Sequence, residues 1–395
     1  MASKYAHFKV RQRPPTPARA PFPLPPRLQE VYDAGKAAIA EPFVGITTDG
    51  QVVPGLFPLR ATGVSTRPIQ AAAEAFLAAL TPAQREQGCL PLESDAWRAW
   101  SNIHPFLMRH GLLLEALSEE QRALALGLLR ATLSATGYVL ARNVMRLNYT
   151  IGEITGKWDE YGEWLYWLSI MGTPSADAPW GWQIDGHHLI INCLIIGDQL
   201  VLTPTFMGSE PTEAESGKYA GTRVFAAEEA QGLALMRALS PRQREQAIVA
   251  PENPREILAA AFRDNARIPY QGIRYDALDT EQQALLERLL ETYVGRMRPG
   301  HAAVRLAEVA EHLPSTYFAW MGGYDEDSVF YYRIHSPVVL IEFDHQAGIA
   351  MDNDYPSRNH IHTCIRTPNG NDYGKDLLRQ HYARYHQGAS IGAAR

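Results

Sequence analysis

The sequence predicts an α+β fold, with mostly antiparallel sheet and packed helices in a single large domain. Two observations carry that expectation. Runs rich in β-branched and aromatic residues cluster with short helix-free gaps: HHLIINCLIIG with LVLTPTF, and FYYRIHSPVVLIEFDHQ with NHIHTCIRT. Between and before these runs lie stretches with helical apolar spacing, each entered through a capping signature. With 395 residues and 46% hydrophobic content, the chain can bury a large core.

From the N-terminus, residues 1–30 read as an extended arm, because the segment from Pro14 to Pro26 holds seven prolines and suits polyproline II. Such an arm lies over its own chain or reaches a neighbouring subunit in a homo-oligomer. Residues 31–395 form the α+β domain, with a helical part over about 69–147 and histidine-bearing strands over about 181–206 and 329–367. An Ala-rich run over 69–80, a long helix from Glu119 to about Leu147 and another over 282–296 are expected. Four segments spell the same helix entry, LTPAQ at Thr81, LSEEQ at Ser118, LSPRQ at Ser240 and LDTEQ at Asp279. In each, an N-cap oxygen can accept an orphan N–H while the Gln three residues on reaches back. These boxes read as recurrent helix chemistry without a longer repeating frame. Gly197-Asp198 marks a hairpin between the first two strand runs, which are expected to pair antiparallel.

Net charge −6 and a pI near 6.1, without long runs of one sign, argue against nucleic acid as a partner. Cys89, Cys193 and Cys364 are far apart and form no CxxC, which argues against a disulfide framework or a thiolate zinc site and suits a reducing cytoplasm. No stretch approaches 18 uncharged apolar residues, so no membrane span is expected. Phosphate-cradling loops, nucleophile elbows and dinucleotide fingerprints are missing, and no organic cofactor is expected.

Histidine is where the sequence concentrates chemistry. Six of the thirteen histidines fall between His335 and His386, and His187 and His188 are adjacent. In HIHTCIRT the pleat puts His360, His362 and Cys364 on one face, and two imidazoles about 7 Å apart there can converge on one ion. Glu342, in the apolar strand VVLIEFDHQ, needs either a cation or hydrogen-bond donors. One of His187 and His188 is expected to enter the site. The metal set is then His188, Glu342, His360 and His362, a mixed N/O site for Zn, Mn or Fe, with Cu possible. The competing reading is that these are core histidines satisfied by neighbouring strands.

Around this set, Asp344 or His381 would serve as acid/base and Arg366 would orient a substrate anion. His187, Trp182, Asn192, Asp372 and Tyr373 are candidate substrate contacts. Trp182 belongs to an aromatic-dense stretch that forms either a core wall or a pocket wall running into the histidine pair. In TPNGNDYGKDLLRQHY, Pro368 to Gly374 reads as a turn and Asp372 as the cap of the helix carrying His381.

The chain resembles the family known as domain of unknown function 3500. The likeness rests on GTPS followed by PWGWQIDGHHLIIN, on TPTFMGSEP, on the IEFD strand and on HIHTCIRTPNGNDYGKDLLRQHY, and extends over most of the chain after the arm. It implies motif roles for His187, His188, Glu342, Asp344, His360, His362, Asp372 and His381 and lends no reaction. The expected function is a metal-dependent enzyme acting on a small polar molecule, most simply a hydrolase or lyase. A metal-dependent oxidoreductase or oxygenase uses the same ligands. A metal-free small-ligand binding protein is the third alternative.

Overall fold

A computed structural model describes residues 7–13, 16–19, 22–102, 109–254 and 256–385. His386, and Pro14, Pro15 and Pro21 of the arm, lie outside the described residues. The fold is α+β, with helices packed on one mostly antiparallel sheet.

After α1 (Pro26–Ala40), the chain runs through nearly the same series of elements twice. The first pass is α2 (Arg67–Ala78), α3 (Pro82–Gly88), β1 (Cys89–Leu90), β2 (Leu112–Leu113), α4 (Glu119–Thr132), α5 (Ala135–Thr155), β3 (Tyr166–Met171), β4 (Trp180–Gly186), β5 (Leu189–Ile196), β6 (Gln199–Val201) and β7 (Thr205–Ser209). The second is α6 (Ala226–Ala238), α7 (Pro241–Ala247), β8 (Ile248–Ala250), β9 (Ile273–Arg274), α8 (Thr280–Val294), α9 (Pro299–Ala310), β10 (Tyr317–Gly322), β11 (Phe330–His335), β12 (Leu340–Ala347) and β13 (Pro356–Arg366), and α10 (Lys375–Tyr385) follows.

The sheet order β1-β3-β4-β5-β7-β13-β12-β11-β10-β8 reads the same way inward from either end. Both outer strands, β1 and β8, run parallel to their neighbours β3 and β10. Gln183 of β4 faces Asn192 of β5 as Arg333 of β11 faces Glu342 of β12. All four capping boxes form with both reciprocal bonds, and they do so at equivalent places, α3 with α7 and α4 with α8. The expectation of no longer frame is therefore corrected. LTPAQREQ and LSPRQREQ are its clearest trace, while unequal loops and divergent strands hide the rest.

Two further expectations change. The helix read from Glu119 to Leu147 breaks at Leu133, because Ser134 is extended and its side chain accepts from Gly137 N, starting α5. The arm ends earlier than residue 30, since Pro26 occupies the first turn of α1, where a missing N–H costs nothing. The arm's described residues lie on their own chain. Val10 bridges Met351, Arg11 N donates to Ala350 O, Ala18 N donates to Asp159 O, and Arg13 pairs with the buried Glu160.

Register divides the sheet into two unlike faces. Trp182, Ile191, Met207, Tyr332, Ile341 and Phe343 point to one, under α5, α6 and α8. On the other face lie Gln183, Asn192, Glu342, Asp344, His362 and Arg366, all buried. A covered polar face requires partners. The segments between β1 and β2 and between β8 and β9 supply them: Trp97 O accepts from Gln183, Leu258 N and Ala259 N donate to Glu342, and Asp264 pairs with Arg366.

Candidate metal centre

The centre forms on the polar face where the two passes meet, at the β7–β13 pair. His360 and His362 alternate with Ile361 along β13 and so project together. His188 comes from the turn between β4 and β5. Its φ of 64° is left-handed and unusual for a residue with a β-carbon, and its carbonyl is fixed by Gly208 N at 2.9 Å. The equivalent turn of the second pass carries Pro337 and Val338 and has no histidine to contribute.

The three Nε2 atoms form a nearly regular triangle. His188 to His360 and His188 to His362 are each 3.2 Å, and His360 to His362 is 3.0 Å. The outer nitrogens decide what these atoms carry. Nδ1 of His360 is 2.7 Å from Ala347 O, and Nδ1 of His362 is 3.0 Å from Glu256 Oε1; both oxygens are acceptors, so both Nδ1 atoms donate. In the neutral rings the two facing Nε2 atoms are then bare lone pairs in contact, an arrangement that a cation relieves. Burial and the neighbouring His362 hold the His360 pKa well below the usual histidine range, which favours the neutral, ligating form. For a metal–nitrogen distance of about 2.1 Å, a triangle of this edge subtends roughly 95° at the ion, between an octahedral face and a tetrahedral cap. His188, His360 and His362 can thus hold a metal ion.

The supporting shell is equally specific. The His187 ring stacks on His188 with centroids 3.9 Å apart, and its Nδ1 is bonded to Asn148 Oδ1 at 2.8 Å. Phe206 stands edge-on to His362. A β-carbon at Gly208 would come 2.9 Å from Cδ2 of His362 and 3.0 Å from Cδ2 of His188, so this position leaves no room beneath the rings. Glu210, buried, lies 3.8 Å from Nδ1 of His360 while accepting from the amides of Ile349, Ala350 and Met351. Glu210 and Glu256 were not among the residues singled out from sequence. Glu210 stands beside Pro211 in SEP and Glu256 two residues after Pro254 in NPRE, both without periodic signal.

Other expected site residues are placed differently. His188, not His187, enters the triangle. Glu342 is away from it, its oxygens taken by Leu258 N, Ala259 N and the Tyr331 hydroxyl. Of the two ways open to an acid in so apolar a strand, a cation or hydrogen-bond donors, the donors are present, and Glu342 leaves the metal set. Asp344 faces His362 directly across β12–β13. Its carboxylate accepts from Asn253 and Gln346, and burial, with Glu256 and Glu342 nearby, raises its pKa well above the usual carboxylate range.

Arg366 and Asp372 are consumed in a fully buried network with Asp264, and Tyr373 donates to the same Asp264. Asp372 accepts from Arg366 and Thr367 N instead of capping α10; Asn371 Oδ1 accepts from Leu377 N. His381 sits on α10 against Tyr382 and Tyr385. Asn192 joins Gln183 to Pro204 O within the sheet, and Trp182 faces the helices as core.

Among the described residues, no helix is long and apolar enough to cross a membrane. The model of the family described as "Protein of unknown function (DUF3500)" matches residues 62–375. No curated protein and no solved structure matches the chain.

Proposed function

The chain belongs to the DUF3500 family, and from the geometry of its histidines we propose that it is a metal-dependent enzyme acting on a small polar molecule, most simply a hydrolase or lyase. One observation carries the reading: three buried imidazole Nε2 atoms converge within 3.2 Å of one another, two of them left as lone pairs by what their rings donate to. Neutral imidazoles suit Zn, Mn, Fe or Cu. A zinc ion held by His188, His360 and His362 would supply a coordinated water with a pKa lowered to about 7 and a Lewis acid for a carbonyl.

The chain's own residues prepare the ligands. Glu256 and Ala347 O fix the tautomers of His362 and His360, and His187, braced by Asn148, sets the plane of His188. Asp344, opposite His362 and held by Asn253 and Gln346, is the group in this scheme that stores and returns a proton.

Redox chemistry is the second reading, favoured by one feature. The Nε2 triangle, with edges of 3.0 to 3.2 Å, is nearer in size to an octahedral than to a tetrahedral set of nitrogens, and the three histidines would then hold iron, which would supply dioxygen chemistry.

The test is to strip the protein with a chelator, restore zinc or iron, and follow both hydrolysis of p-nitrophenyl acetate and oxygen uptake with a panel of small carbonyl compounds. Zinc-restored hydrolysis supports the hydrolytic reading, and iron-restored oxygen uptake alone replaces it with the redox one. A metal-loaded, folded protein inactive in both assays contradicts the enzyme reading.

A further inference from the structure

We propose that the cavity between the helix-covered face of the sheet and α8–α9 is a second ligand site, shaped for a small carboxylate with a short apolar body. The cavity has a volume of about 60 Å³. One water needs roughly 10–15 Å³ on this measure, so the space admits on the order of four to six heavy atoms. Its walls are largely apolar, with Leu202, Met207, Met297, Val304 and Ile365 among them.

Four charged or protonatable side chains interrupt this lining: Arg305 and Glu308 pair with each other at 3.0 Å, while Arg296 and His301 are exposed by only 4% and 3%. Nε of Arg296 and Nε2 of His301 are both buried without a hydrogen-bond partner. The rest of the Arg296 guanidinium is committed, with Nη2 bonded to Glu228 at 2.6 Å. A buried N–H left unmatched in apolar surroundings is costly, so Nε of Arg296 points to an acceptor, to which Nε2 of His301 also donates in the tautomer that carries its proton there. His301 lies in the first turn of α9, where the helix dipole adds positive potential. An acceptor carrying negative charge fits that field, and the remaining wall fits a branched alkyl group.

The site is separate from the histidine centre. Met207 and Ile365 face the helices, whereas His360 and His362, on the same strand pair, project from the opposite face.

Calorimetric titration of the full-length protein with isobutyrate, and with isobutanol as the uncharged analogue, tests the proposal. Isobutyrate is expected to bind at least tenfold more tightly than isobutanol. His301→Phe, which removes the unmatched nitrogen, and Val304→Trp, which fills the cavity, should each weaken isobutyrate at least tenfold. Methyl-¹³C methionine spectra provide a check that needs no variant: Met207 and Met297 signals should shift with isobutyrate while methionines outside the cavity stay put. No binding of isobutyrate by the wild type, equal affinity for the two compounds, or undiminished binding by a folded Val304→Trp protein would overturn the proposal.

Discussion

Glu256 is the most consequential side chain that the sequence did not mark. Its carboxylate orients His362 yet is itself 43% exposed, so its loss removes a ligand's support with little effect on packing. Glu256→Ala is expected to weaken metal binding about 10- to 100-fold, measured by competition with a chromogenic chelator; an unchanged affinity contradicts the role assigned to it. Glu342 is the opposite case. Glu342→Ala strands the buried amide of Ala259 and the buried Tyr331 hydroxyl, at about 1–3 kcal/mol each, and the half-buried amide of Leu258, so the urea midpoint should fall sharply while metal per folded chain stays that of the wild type. Loss of metal in that variant would return Glu342 to the ligand set. The sequence showed that an acid in an apolar strand needs partners. Their identity was not legible, because the amides of Leu258 and Ala259 lie more than 80 positions away along the chain.

At the scale of elements, what was local was legible. The four capping boxes, the β5–β6 hairpin at Gly197-Asp198 and the common face of His360 and His362 each depend on a few neighbouring residues, and each is present. The break between α4 and α5 was missed because Ser134 caps without the reciprocal Gln that marks the other four, so the apolar spacing read straight through it. Ser134→Ala should therefore destabilise the protein by about 1 kcal/mol, read from urea denaturation; no loss would mean that Ser134 N donating to Arg296 O, not the side-chain cap, ends α4. The pairing of the two passes was illegible for a different reason. It is written in strand order and register, which survive divergence that erases side-chain identity.

For the whole molecule, the doubled architecture puts a buried polar sheet face under two loop segments and places the histidine triangle at its central seam. That burial makes folding sensitive to acid. His335, on the same face, is pushed down to about 3 by burial and by Arg333, whereas an unfolded histidine titrates near 6.5. The unfolded chain thus takes up a proton that the folded one refuses, so stability is full above pH 6.5 and declines as pH falls from 6.5 toward 3. His335→Leu should flatten that decline in thermal melts taken across the window; parallel curves for variant and wild type would assign the acid sensitivity to other groups. The central claim is that His188, His360 and His362 hold a transition metal. It is tested most directly by plasma mass spectrometry of tag-free protein purified without added metal, wild type beside the His360→Ala/His362→Ala double variant. About one zinc, manganese, iron or copper per wild-type chain and none in the folded double variant is the result predicted. Metal-free wild type that takes up none of these ions when they are supplied would contradict the account.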